Sequence, residues 1–186
     1  MAPITQYISA FFASLSLVLP PTAAATSCCN PEVGTHMHHE YILNNYLDIW
    51  NGDLSLINST FSPDLAFHSD RFPSSTGVGS VAIQIPTAQA FRAFVIRSRT
   101  GWNQYTFHPY KWAADGLNIA VRWRLEAVMG HNFTLAPTTL KPGDPVTYNG
   151  TDFLLLDPCT GLIEEANIAQ DLITFFHNLG LEAVTV

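Results

Sequence analysis

The segment LNIAVRWRLEAVM, residues 117–129, constrains the fold of this chain more than any other stretch. Ile119, Val121, Trp123 and Leu125 alternate with Ala120, Arg122, Arg124 and Glu126, giving one apolar and one polar face. A side-chain period of two belongs to a β-strand, and a strand with a single apolar face belongs in a sheet that covers a core on one side. The preceding run YTFHPYKWAAD reaches it through Ala114-Asp115-Gly116-Leu117, which predicts a hairpin. Tyr105 and His108 fall on opposite faces of that first strand, so at most one of them points inward.

Two more strands, VTYNGTDFLLLD and LIEEANIAQ, flank a turn at DPCTG (157–161), and a short strand Leu65 to His68 follows a turn at Ser62-Pro63-Asp64. Helical spacing over 36–50 puts Ile42, Tyr46, Ile49 and Trp50 on one face. Gly52 stops that helix, and Asp53 caps a short second one. Pro86 suits the first turn of a helix over 84–99 with an apolar stripe of Ala90, Phe91, Phe94 and Val95. A final helix runs from Leu172 to Leu179 and ends at Gly180. Helices, strand, helix and then four strands specify an α+β domain. Its strongly bent antiparallel sheet carries about three helices on the concave side, making a cone with a pocket at its open end.

With 186 residues, 47% hydrophobic and 12% charged, the chain suits one globular domain. Its net charge of −7 and scattered cations argue against nucleic acid or an anionic membrane as partner. The densest basic cluster, Arg92, Arg97 and Arg99, reads as a solvated helix face. Residues 1–25 read as a secretory signal peptide: the apolar run YISAFFASLSLVL, the break Pro20-Pro21, then TAAATS, with cleavage after Ala23 or Ala25. No Lys or Arg precedes the run, so a retained anchor is the alternative. The run is short for a transmembrane span and no later stretch is longer, so no stable membrane insertion is expected after cleavage. Residues 26–35 form an N-terminal loop, and 36–186 form the domain.

Secretion agrees with three N-glycosylation sequons, at Asn58, Asn132 and Asn149. It also agrees with a disulfide from Cys28 or Cys29 to Cys159, which leaves one thiol over. In HMHHE, His36, His39 and Glu40 share a helix face. They lie at a frayed helix start with no distant fourth ligand, so no metal site is expected.

The stretches YLDIWNGD, FSPDLAFH, ADGLNIAVRWRLEA and TGLIEEANIAQDLITFFHNLGL resemble, in order and spacing, the SnoaL-like polyketide cyclase branch of the NTF2-like superfamily over residues 36–181. The resemblance implies an NTF2-like cone. It does not fix the reaction, because this fold hosts polyketide cyclases, dehydratases, isomerases, epoxide hydrolases and non-catalytic binders. In the family's polyketide cyclases an acid in the closing segment serves as general acid/base. The match of Gln170-Asp171-Leu172 and Leu179-Gly180-Leu181 gives that role to Asp171. The family's Gly-Thr-His stretch is represented only by Gly130-His131, which leaves the proton partner open.

Alternation along the closing strand groups Ile163, Glu165, Asn167, Ala169 and Asp171. If that face lines the cone, Asn167 and Asp171 share the pocket, and a desolvated Asp171 has a raised pKa and exchanges protons near neutral pH. Asp171 also reads as the N-cap of the last helix, and the two roles are compatible. His68, closing the first strand, is either a proton partner or an ordinary strand-end histidine. Tyr46, Trp50 and Trp123 either shape a substrate cavity or pack the core. Arg122 and Glu126 read as a surface pair.

The expectation is a secreted, cofactor-independent enzyme of natural-product biosynthesis. It would act on a small apolar oxygenated polyketide or terpenoid by cyclisation, isomerisation or dehydration, with Asp171 as acid/base, His68 as partner and Asn167 as orienting donor. The alternative is a secreted non-catalytic binder of the same fold. Homodimerisation through the outer sheet face is compatible with either.

Overall fold

Burial follows the alternation of the central hairpin. In β5 (Asn118–Met129), Ile119, Val121, Trp123 and Leu125 are buried, while Arg122, Arg124 and Glu126 are exposed. The computed structural model describes residues 30–73 and 79–182; the signal segment, Cys28 and Cys29 lie outside them. β5 pairs antiparallel with β4 (Trp102–Asp115) and β6 (Pro145–Leu156), and β6 pairs antiparallel with β7 (Ile163–Gln170).

The fifth strand of the sheet, β1 (Phe61–Ser69), pairs parallel with β7, so the sheet is mixed rather than wholly antiparallel. Parallel pairing needs a long crossover, and here most of the domain separates the two strands. Ser62-Pro63-Asp64 is not a turn: it lies within β1, where the register shifts between Phe61 and Ala66. Two-residue strands β2 (Phe72–Pro73) and β3 (Ser80–Val81) form a separate small ribbon.

Among the described residues four α-helices accompany the sheet: α1 (His36–Asn51), α2 (Ile57–Thr60), α3 (Ala88–Arg99) and α4 (Leu172–Asn178). Thr35 caps α1 by accepting from His38 N, and Gly52 ends it in the left-handed region at φ 116°. Asp53 caps the following 3-10 turn, as its position predicts. α3 begins at Ala88, four residues later than the helix expected over 84–99, and Pro86 precedes its N-cap instead of lying in its first turn. The Pro86 carbonyl accepts from Leu65 N and Thr87 bridges Asp64, so these residues extend the sheet edge before Thr87 caps the helix.

The concave side of the sheet is filled with aromatic side chains. The Phe91 ring of α3 lies 4.5 Å from Phe61 and 5.4 Å from Trp50, and Trp123 meets Phe107 at 4.5 Å. Asn51, the last residue of α1, ties the helix to the β4 edge: its Oδ1 accepts from Phe107 N at 2.7 Å and its Nδ2 donates to Phe107 O at 3.3 Å. Arg99 joins three elements, with Nη1 donating to Trp50 O at 2.6 Å and to Tyr105 O at 2.9 Å. Cys159, in the turn between β6 and β7, is disulfide-bonded. No helix among the described residues is long and apolar enough to cross a membrane.

The Trp123 indole lies directly over Gly150 of β6, and a Cβ there would overlap the ring. Overpacking of this kind costs about 1–3 kcal/mol. Gly150→Ala is therefore expected to lower the unfolding free energy by about 1–3 kcal/mol, read as a lower denaturant midpoint with an unchanged m-value; an unshifted midpoint would show that the indole has room to move.

Candidate active site

The inward face of β6 consists of Val146, Tyr148, Gly150, Asp152, Leu154 and Leu156. Five of these suit a core; Asp152 does not. Its cross-strand partners are Val121 of β5 and Ile168 of β7, both buried aliphatics, and Asp152 itself is 1% exposed. The Tyr46 hydroxyl of α1, also fully buried, donates to Asp152 Oδ2 at 2.8 Å. Asp152 Oδ1 has no hydrogen-bond partner, and the salt bridges among the described residues all lie at the surface without involving it.

Burial pushes the Asp152 carboxyl up to about 7, because no water solvates its charge. Trp123 Nε1 and the Tyr46 hydroxyl pull in the other direction without offsetting burial. Burial, and then the neighbouring Asp152 charge, push the Tyr46 hydroxyl well above its ordinary range, so it stays protonated. Trp123 Nε1 and Trp50 Nε1 lie close enough to act on Asp152 and Tyr46 respectively, yet neither closes a hydrogen bond of normal geometry. The result is a carboxyl that titrates near neutrality, one oxygen held by a phenol and the other unclaimed. Such a group can both accept and return a proton.

The acid expected from the closing segment lies elsewhere. Asp171 is exposed and caps α4: Oδ1 accepts from Thr174 N at 3.0 Å and Oδ2 from the Thr174 hydroxyl at 2.7 Å. Those bonds hold its carboxyl below the ordinary carboxylate range, opposite to the shift that burial would give. The cause is a bulge in β7. Leu155 faces Glu165 and Leu156 faces Ile163, so Glu164 is the extra residue and alternation changes phase there. Ala166 and Ile168 return to the core, while Asn167 and Asp171 take the outer face.

His68 and Asn167 are register partners on that outer face. Asn167 Nδ2 donates to Glu165 Oε1 at 2.8 Å, and His68 Nε2 stands 4.0 Å from the same oxygen. Asp171 lies four residues further along, roughly 13 Å away at strand rise. The expected trio therefore does not form a pocket.

Tyr46, Trp50 and Trp123 are all buried around the new acid. Of the pair on β4, Tyr105 points in and His108 points out, 3.6 Å from Glu126. Arg122 bonds Tyr110 and Thr151 instead of pairing with Glu126, which Arg124 also approaches at 3.6 Å. His36 stacks on Trp112 and lies 3.6 Å from Glu40, while His39 Nε2 contacts Gly116 O at 2.8 Å. Among the described residues no three His, Cys, Asp or Glu side chains gather to hold a metal.

Asp152 was legible in VTYNGTDFLLLD, where a period of two places it with Tyr148 and Leu154. An acid on the apolar face of a strand is the signal in that stretch.

The sequence model of the SnoaL-like domain family matches residues 43–165. Among solved structures, the chain is similar to TsrD from Streptomyces laurentii, with TM-score 0.59, 15% identity, and coverage of 78% of this chain and 97% of that one. It is similar to a candidate SnoaL-like polyketide cyclase from Jannaschia, with TM-score 0.61, 15% identity, and coverage of 83% and 97%. It is also similar to an LEH-like epoxide hydrolase from M. tuberculosis, with TM-score 0.52, 12% identity, and coverage of 81% and 88%. At these identities the structures establish a common fold. No curated protein matches the chain.

The folded pKa of Asp152 lies above its unfolded value, so between the ordinary carboxylate range and about pH 7 the native state binds more protons than the unfolded one. Stability is highest below that window and falls as pH rises through it, by on the order of 4 kcal/mol in all. Asp152→Asn removes the titration. Thermal melts from pH 4 to pH 8 are expected to give the variant a stability advantage that grows with pH; a constant difference would contradict the buried charge.

Proposed function

This chain belongs to the SnoaL-like domain family, and from that premise we propose a cofactor-independent enzyme that moves protons on a small, largely apolar, oxygenated molecule. Asp152 is the general acid/base. As carboxylate it takes a proton from carbon alpha to a carbonyl. As acid it returns that proton to another carbon, completing isomerisation or ring closure, or to a departing hydroxyl, completing dehydration. Tyr46 holds Oδ2 and stabilises the charged form, leaving Oδ1 for the substrate.

The observation that carries this reading is the cost of the residue. A buried carboxylate without a cation lowers stability, and an asparagine would fill the same space uncharged. Proton transfer is what the acid does that the amide cannot. The substrate reaches Asp152 only when aromatic side chains over it shift, so turnover includes an opening step.

Export through the secretory pathway is part of the proposal. It is supported by the Cys159 disulfide, which suits an oxidising compartment, and by the exposed sequon asparagines Asn58 and Asn132.

One observation favours a non-catalytic binder. The aromatic side chains fill the interior, while two concavities lie at the rim: about 430 Å³ beside His39 and Trp112, and about 480 Å³ beside Asp64 and Glu165. Metabolite profiles of a deletion strain distinguish the readings. The deletion is expected to accumulate a precursor that wild-type and Asp171→Asn chains clear. Asp152→Asn should clear it about 100-fold more slowly or worse, the usual range for a lost acid/base. Clearance by Asp152→Asn at the wild-type rate would overturn the assignment, and a deletion strain without any accumulating compound would favour the binder.

A further inference from the structure

The outer face of the sheet is polar across its centre. Arg122 donates through Nε to the Tyr110 hydroxyl at 2.7 Å and through Nη1 to the Thr151 hydroxyl at 2.8 Å, and Arg124 donates through Nε to Thr147 Oγ1 at 2.9 Å. Tyr110 and Phe153 are its exposed rings, 59% and 57% accessible. A face so charged lacks the apolar centre of a stable subunit interface.

Asn149 stands in the middle of this face, on β6, paired across to Arg124. Its carbonyl accepts from Asp171 N at 2.9 Å, and among the described residues nothing hydrogen-bonds its side-chain amide. It opens the sequon Asn149-Gly150-Thr151. Gly150 has a separate cause, the Trp123 ring on the inner side, whereas Asn149 and Thr151 both point away from the core.

We propose that Asn149 carries an N-linked oligosaccharide that covers the outer sheet face, so that this face is a shielded surface and not a subunit interface. The inference rests on the secretory reading above. The amide nitrogen of Asn149 attacks the anomeric carbon of a lipid-diphosphate-linked oligosaccharide. The new C–N bond forms as the C–O bond to phosphate breaks, the lipid diphosphate leaves with the electron pair, and the proton lost by the amide ends on that departing diphosphate. Thr151 is bonded to Arg122 in the folded sheet, so transfer precedes pairing of β6 with β5.

The test uses the full chain exported from a eukaryotic host, with enzymatic deglycosylation in isotopically heavy water to mark each occupied asparagine as labelled aspartate. The Asn149 peptide is expected to carry the label, and Asn149→Gln to remove one oligosaccharide mass. Hydroxyl-radical footprinting should label Tyr110 and Phe153 several-fold more after deglycosylation, and the glycosylated chain should sediment as a monomer. Label on Asn58 or Asn132 with none on Asn149 would overturn this inference while sparing export. A chain retained in the cell without label at any sequon would overturn both. Equal footprints before and after deglycosylation, or a glycosylated dimer protected at Tyr110, would overturn the shielding.

Discussion

The hydrogen bond from the Tyr46 hydroxyl to Asp152 joins the middle of the first helix to the middle of the sheet, and the surrounding packing is arranged about it. Neither group is exposed, so each satisfies the other where water cannot. The bond also fixes the orientation of α1. The Tyr46 ring meets Trp50, Phe61 and Phe91, drawing α1, β1 and α3 into one aromatic cluster over the sheet. A helix held by greasy contacts alone could slide; one held by a buried polar pair has a single register.

That pair is incomplete as a structural device. Asp152 Oδ1 is unclaimed, and two indole N–H groups nearby are also without hydrogen-bond partners. A core selected only for stability would place an amide or an aliphatic residue at 152. Retaining an acid there sacrifices stability as pH rises toward neutrality, for a group that can change protonation state. Asp171 gives the contrast: both of its oxygens are used by Thr174, its charge faces water, and its job is finished when the helix is capped.

Asp171 is turned to the outer face by one residue in β7. Without the bulge, strict alternation from the buried Ile163 would turn Glu165, Asn167 and Asp171 inward and leave Ala166 and Ile168 facing solvent. Inserting Glu164 as the extra residue buries Ala166 and Ile168 along with Ile163 and leaves both glutamates less enclosed. The cost is a change of phase for every later residue of the strand, which carries Asn167 and Asp171 outward. His68 follows, since β1 takes its register from β7.

By itself the sequence determined the class of fold, the hairpin, and the inward set Ile119, Val121, Trp123 and Leu125, because a period of two sustained over a whole strand leaves one way to bury it. It determined the helix stops at Gly52 and the caps at Asp53 and Asp171, which depend on neighbours a few residues away. Tertiary structure alone decided the parallel seating of β1 on β7, the bulge that turns Asp171 outward, and the phenol that meets Asp152. Those outcomes depend on partners about a hundred residues apart, such as Tyr46 and Asp152, whose meeting no local spacing encodes.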